Sequence, residues 1–92
     1  MRNYEMMVII DPTLQDEERD GLIEKLKSII EKNGKVTSME VWGKREMAYE
    51  INKNKEGFYV LFNFEAEPQS ISKLKQEVRM NKSYLRELIV RK

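Results

Sequence analysis

The chain has 92 residues, with 17 lysines and arginines against 16 aspartates and glutamates, and it contains neither histidine nor cysteine. This length fits one small domain, and we expect residues 1–92 to form it. The net charge of +1 excludes a strongly basic arm that would coat nucleic acid or a membrane. The missing histidine and cysteine exclude disulfides, zinc sites of the usual kind and thiol or histidine catalysis, so we expect no enzyme activity, no metal and no cofactor.

Targeting signals are not apparent in the sequence. The longest strictly apolar run, residues 6–10, is far too short for a membrane span. The first four residues lack the apolar core of a signal peptide. We therefore expect a cytoplasmic protein.

The first two predicted elements are a strand and a helix. Apolar residues fall on both faces of Arg2–Ile10, which is typical of a central strand. Thr13 and Asp16 form a weak capping box, and the acidic residues that follow suit the positive end of a helix dipole. Gly21 is costly inside a helix, so we expect close packing there. The pair Asn33-Gly34 predicts a left-handed helix stop.

A long hairpin is predicted next. Apolar alternation begins near Lys35 and is interrupted at Gly43, where we expect a β-bulge. The polar stretch Asn52–Gly57 predicts a turn, and Phe58–Glu67 predicts the third strand, which Pro68 ends.

The remaining elements complete a βαββαβ order. The spacing of apolar residues predicts a second helix over Gln69–Met80, and Tyr84–Arg91 is predicted as the fourth strand. Right-handed crossovers place both helices on one face of the sheet, with the first and third strands in its middle. The predicted fold class is α+β, with the ferredoxin-like split βαβ arrangement of a four-stranded antiparallel sheet and two helices on one face.

The opposite face of the sheet is left uncovered by helices, and its side chains are predicted to bind a partner. On the third strand, Phe58, Phe62 and Phe64 alternate with Tyr59 and are expected to face the helices. An exposed apolar patch usually marks a partner site. The predicted partner-binding residues are Met7, Ile9, Trp42, Tyr59, Leu61, Leu88 and Val90.

The charges are distributed unevenly along the chain. Residues 11–34 hold seven acids and four bases, whereas residues 79–92 hold five bases and one acid. Bringing the hairpin beside the last strand would form a basic patch near aromatic residues, a combination that suits contact with RNA phosphates and bases. The predicted RNA-binding residues are Arg2, Lys44, Arg45, Lys53, Lys55, Arg79 and Arg86.

Three other functions share the predicted fold. Gly57–Phe62 is weakly similar to the octamer of the RNA-recognition motif, but the inward-pointing phenylalanines leave Tyr59 alone to stack on a base. A regulatory small-molecule module is a second alternative. An acylphosphatase-like enzyme is a third, although Asp11–Thr13 is acidic and lacks the glycines of a phosphate-binding loop.

Several segments together carry a family resemblance that covers essentially the whole chain. Arg2–Glu5, Asp11-Pro12, Trp42–Ile51, Arg79–Asn81 and Leu85-Arg86 resemble the bacterial small-subunit ribosomal protein S-six family. This resemblance implies the same ferredoxin-like fold. It also implies a structural constituent of the small ribosomal subunit that binds the central domain of its ribosomal RNA together with ribosomal protein S-eighteen.

Overall fold

The computed structural model describes the backbone of residues 1–51 and 54–92 and the side chains of residues 1–47 and 55–92. The predicted Lys53 therefore lies outside the described residues. The elements are β1 (Arg2–Ile10), α1 (Asp16–Glu31), β2 (Gly34–Ile51), β3 (Asn54–Ala66), a 3₁₀ turn (Pro68–Ser70), α2 (Ile71–Arg79) and β4 (Tyr84–Arg91).

The four strands form one antiparallel sheet in the order β2-β3-β1-β4. The first and third strands lie in the middle, as the crossover rule requires, and the ferredoxin-like fold class is confirmed. β1 and β4 have the predicted bounds, whereas α2 begins two residues later than predicted because Pro68 starts a 3₁₀ turn.

One face of the sheet packs against the helices and holds the hydrophobic core. Met6 pairs with Phe62 on β3, and both are fully buried. The rings of Tyr4 and Phe64 stack with their centroids 5.7 Å apart. The phenylalanines of β3 therefore face the helices, as their alternation predicts. The core residues at relative exposure below 2% are Met6, Val8, Ile10, Leu26, Val60, Phe62, Phe64 and Val78.

The start of α1 differs from the prediction. Both the backbone N–H and the hydroxyl of Thr13 donate to Oδ1 of Asp11, at 2.9 and 2.7 Å. Thr13 thus belongs to a turn after β1, and Gln15, which makes no side-chain cap bond, precedes the helix. The predicted capping box is wrong, although acidic residues do fill the first turn.

Two glycines also differ from prediction. Gly21 is exposed, and a Cβ added there would meet nothing within 4 Å, so the expected close packing is wrong. Gly34 does not take the predicted left-handed conformation, and Lys32 caps α1 in right-handed geometry. An added Cβ at Gly34 would collide with the carbonyl oxygen of Glu65 on β3, and this close approach explains why a glycine stands there.

The β2–β3 hairpin is longer than predicted. Gly43 has a φ of +83° and lies at a shift in pairing register, which confirms the predicted bulge. β3 begins at Asn54, so the part of the predicted turn from Asn54 to Gly57 is wrong. Backbone pairing of Glu46 with Glu56 extends the ladder through residues whose polar side chains predict a turn.

Tyr84 joins the start of β4 to α1. Its side chain is buried, and its hydroxyl donates a 2.7 Å hydrogen bond to the carbonyl of Leu22. Burial raises the pKa of Tyr84 from 10.0 to about 12, because the phenolate is poorly solvated there.

Candidate interaction surface

The sheet face opposite the helices, called here the helix-free face, carries the apolar residues predicted for it. Met7 pairs with Leu61 on one side and with Leu88 on the other, and Ile9 pairs with Tyr59. Paired residues in an antiparallel sheet point to the same face. Ile9 and Leu61 are only 9% and 8% exposed, although they lie outside the core cluster that packs against the helices.

Three large apolar side chains at the two edges of this face remain open to solvent. Leu88 and Val90 on the edge strand β4 are 59% and 49% exposed. Trp42 on the other edge strand, β2, is 42% exposed. The structure thus places the predicted partner-binding residues across one face, and we call the set Met7, Ile9, Trp42, Tyr59, Leu61, Leu88 and Val90 the apolar zone.

A polar network occupies the end of the helix-free face nearest the start of β1. Nζ of Lys92 lies 3.6 Å from Oε2 of Glu5 and donates a hydrogen bond to Oδ1 of Asn63. The Nδ2 of Asn63 in turn donates to the hydroxyl of Ser38 at 3.0 Å. These polar groups satisfy one another, and because Glu5 pairs with Val90 on β4, the polar network meets the apolar zone at Val90.

Trp42 contacts two charged residues of its own strand. Its indole N–H donates to Oε2 of Glu40 at 3.2 Å, and the guanidinium carbon of Arg45 lies 5.2 Å from the centre of its ring. The i, i+3 spacing would put Trp42 and Arg45 on opposite faces of a regular strand. The bulge at Gly43 adds one residue and so brings them together. The sequence predicted the bulge but not this contact.

The predicted RNA-binding residues do not form one patch beside the last strand, so that expectation is wrong: β1 lies between the β2–β3 hairpin and β4 and keeps them apart. Arg45 pairs with Gly57 on the helix-free face, and Arg86 lies on β4, three strand spacings or about 14 Å across the sheet and in the row of Gly43 rather than that of Arg45. Lys44 pairs with Phe58 and so points to the other face, where it is exposed. Lys55 is exposed at the second position of β3.

Arg2 and Arg79 are likewise not brought together with Arg45. Arg2 pairs with Ala66 at the far end of β1, about 26 Å from Ile10 along the strand. Arg79 lies on α2, and its Nε donates to Oε1 of Glu87 at 3.0 Å. The Glu87 side chain is only 10% exposed, so withdrawing Arg79 would leave a largely buried carboxylate unpaired.

A further arginine, Arg19, is also occupied within the molecule. Its guanidinium lies 4.2 Å from the ring centre of Phe58, and its terminal nitrogens lie 3.0 and 3.8 Å from carboxylate oxygens of Asp16 and Asp20. This arginine therefore ties the acidic start of α1 to the start of β3 in the core. The helix dipole predicts acidic residues at the start of α1 but not their contact with Arg19.

The described part of the chain contains neither a metal-binding cluster of acidic groups nor a membrane-spanning helix. Residues 1–47 and 55–92 contain no cluster of three or more acidic groups placed to hold a metal ion. Neither described helix is long and apolar enough to cross a membrane.

These features define a class: a small α+β protein whose open sheet face combines an apolar zone with flanking arginines. The family model described as Ribosomal protein S6 matches residues 3–91. A small ribosomal subunit protein bS6 from Desulforamulus reducens is 48% identical over 92 residues, covering 99% of this chain and 97% of the relative. A bS6 protein from Caldanaerobacter subterraneus is 46% identical with the same coverage.

The fold comparison agrees. A crystal structure of 30S ribosomal protein S6 from Thermotoga maritima superposes with a TM-score of 0.94 at 38% identity, covering 99% of this chain and 87% of that one. The chain belongs to the ribosomal protein S6 family, and the resemblance found in the sequence is confirmed. It is a structural, non-enzymatic constituent of the small ribosomal subunit, and it is located with the ribosome in the cytoplasm. The predictions about enzyme activity and location are therefore confirmed as well.

Proposed function

We propose that this chain binds the central domain of small-subunit ribosomal RNA together with ribosomal protein S-eighteen. The observation that carries the proposal is the arrangement of the helix-free face, where the apolar zone lies between Arg45 on one edge strand and Arg86 on the other. Such a face offers a dry contact for a protein and charged contacts for phosphate side by side.

The apolar zone is assigned to the protein partner. Leu88 and Val90 expose apolar surface next to the unpaired edge of β4, and contiguous apolar surface of this kind marks interaction sites in proteins. RNA phosphates would gain nothing from such a surface, whereas an apolar protein segment would bury it.

Exposed cations of the β2–β3 hairpin and of β4 are assigned to RNA. Lys44, Arg45, Lys55 and Arg86 contact phosphate and sugar, and the predictions for Arg2 and Lys53 are retained as part of the proposal. Arg79 is assigned to Glu87 instead, because its guanidinium already holds that carboxylate. A set this small gives modest affinity, since each phosphate contact contributes a limited salt-dependent term, and the partner is needed for tight binding.

The partner contact is tested with Leu88→Glu, measured by the affinity of the protein for isolated S-eighteen. Leu88 is 59% exposed, so the substitution leaves the fold intact, and we expect a loss of at least about tenfold from burying a charge in the contact. Met80→Glu is the matched control, because Met80 is 82% exposed at the end of α2, away from the helix-free face. Equal affinities of the Leu88→Glu variant and the wild-type protein would rule out the docking surface.

The RNA contact is tested by titrating a transcript of the central domain at several salt concentrations, with and without S-eighteen. Arg45→Ala and Arg86→Ala should each weaken binding and reduce the slope of log K against log salt by about 1. Lys25→Ala on α1 is the control and should leave the slope unchanged. Tight binding of the wild-type protein without S-eighteen would contradict the need for a partner.

The RNA-recognition-motif alternative is not favoured by the side-chain orientations. Phe58, Phe62 and Phe64 are buried against the helices, and on β3 the half-buried Tyr59 is the one aromatic residue on the face where that module stacks bases.

A further inference from the structure

Three side chains at the bulge of β2 form one connected group, called here the Trp42 stack: Glu40, Trp42 and Arg45. Glu40 accepts the indole hydrogen bond at 3.2 Å, and Arg45 lies over the indole ring at 5.2 Å. The carboxylate fixes the plane of the ring, and the ring then fixes the position of the guanidinium.

The way Arg45 is held leaves its hydrogen-bonding capacity available. A guanidinium over an aromatic ring is attracted through its positive charge, so its N–H donors remain available for the two parallel bonds that fit a phosphate. An unrestrained arginine loses rotamer entropy when it binds, and the stack removes part of that loss in advance.

Two other arginines in the described part of the chain are held differently. Arg19 also lies over an aromatic ring, but two aspartates occupy its terminal nitrogens. The Nε of Arg79 donates its hydrogen bond to the carboxylate of Glu87. Among the described residues, the structure gives Arg45 an aromatic partner and no carboxylate partner.

We propose that Trp42 is a positioning residue for RNA binding, which holds the Arg45 guanidinium so that its in-plane donors meet an RNA phosphate. This inference rests on the proposed function and deepens it. It changes the assignment of Trp42, which the sequence placed with the partner-binding residues, because the effect of Trp42 on RNA then passes through Arg45.

The test is a double-mutant cycle on binding of the central-domain transcript at saturating S-eighteen. We expect Arg45→Ala to weaken RNA binding about tenfold and Trp42→Ala about threefold. The double variant should lose about tenfold, rather than the roughly thirtyfold of independent losses, because Trp42 has nothing to position once Arg45 is gone. If Trp42 acted only through the partner, the affinity loss of Trp42→Ala would instead multiply with that of Arg45→Ala in the double variant.

Two further variants sharpen the cycle. Trp42→Phe keeps an aromatic ring and should retain most of the RNA affinity. This variant provides a second test of the positioning role if Trp42→Ala is poorly folded. Lys44→Ala is the matched control, since Lys44 is an exposed cation one residue from Arg45 that points to the opposite face. In a double variant, the affinity loss caused by Lys44→Ala should therefore multiply with the loss caused by Trp42→Ala.

Trp42 also gives a direct signal, because it is the single tryptophan of the chain. Adding the transcript should change its emission in the wild-type complex, and the change should be smaller in Arg45→Ala at saturating RNA.

The outcomes separate the two proposals. If the wild-type protein with S-eighteen does not bind the transcript, both proposals fail. If it binds and Arg45→Ala weakens it, but the losses from Trp42 and Arg45 multiply, the positioning role is overturned and the proposed function stands.

Discussion

The hydrogen bond between Tyr84 and Leu22 links the last strand to the first helix, and its contribution can be measured by Tyr84→Phe. The replacement removes only the hydroxyl, which donates to the Leu22 carbonyl at 2.7 Å, and the ring that fills the core remains. The Leu22 carbonyl, inside α1, can still accept its helical bond, so it is not left without a partner. The loss is therefore that of an ordinary net hydrogen bond, about 1 kcal/mol.

This loss corresponds to a decrease in melting temperature of about 4–8 °C for a chain of this size. A pH dependence should accompany it. The pKa of Tyr84 is raised from 10.0 to about 12 in the folded protein, so its contribution to stability is complete below pH 10 and is lost as the pH rises towards 12. The Phe variant lacks this titrating group, and the difference in stability between the two proteins should shrink above pH 10.

Urea unfolding at pH 7 and at several values up to pH 11 measures both effects. Tyr59→Phe is the matched control, because Tyr59 is half-buried on the helix-free face, and the same change there should alter stability by less than about 0.5 kcal/mol. A Tyr84→Phe variant as stable as the wild type at pH 7, or a stability difference independent of pH, would refute the reasoning.

Three further substitutions have defined outcomes. Gly34→Ala should destabilise the protein by about 2 kcal/mol or more, because the new methyl group meets the carbonyl of Glu65, and chemical unfolding checks this. Gly21→Ala should stabilise it by about 0.5–1 kcal/mol in the same assay, because the added methyl meets no neighbour and the helix gains propensity; a loss of stability would contradict the open surroundings of Gly21. Arg79→Ala should cost about 1–2 kcal/mol by leaving Glu87 unpaired, yet leave the salt slope of RNA binding unchanged; a slope reduced by about 1 would instead make Arg79 a phosphate contact.

The fold was predictable because its strongest signals are local and periodic. The alternation of Phe62 and Phe64 with polar residues indicates which face of β3 is buried, and the two-sided apolar pattern of β1 indicates a central strand. The order of elements and the handedness of crossovers then leave one arrangement of the sheet.

Two local predictions were wrong, one because the deciding contact comes from another strand and the other because a second local hydrogen bond competes with the predicted one. Gly34 reads as a helix stop in the sequence, but the residue that requires a glycine there is Glu65, on another strand. In the predicted capping box the hydroxyl of Thr13 would accept from a helix N–H, but in the structure it donates to Oδ1 of Asp11 in the turn after β1.

The sequence indicates which residues share the helix-free face, but it does not indicate the contacts that these side chains make with one another. The sequence proposed Trp42 and Arg45 for different partners, and only the bulge at Gly43 places them on one face. The pairing of Arg79 with Glu87 depends on how α2 packs against β4, which no spacing rule within one element can give.

The strand order has a consequence for how the chain folds during synthesis. β1 leaves the ribosome first, yet its partners are β3 and β4, so its backbone groups remain unpaired until residues far downstream have emerged. The β2–β3 hairpin pairs neighbours in the sequence and requires the shortest chain closure, so it is the natural nucleus. The sheet is complete only when Tyr84–Arg91 has emerged, and a nascent chain stalled before this segment would leave unpaired the edge of β1 that β4 covers.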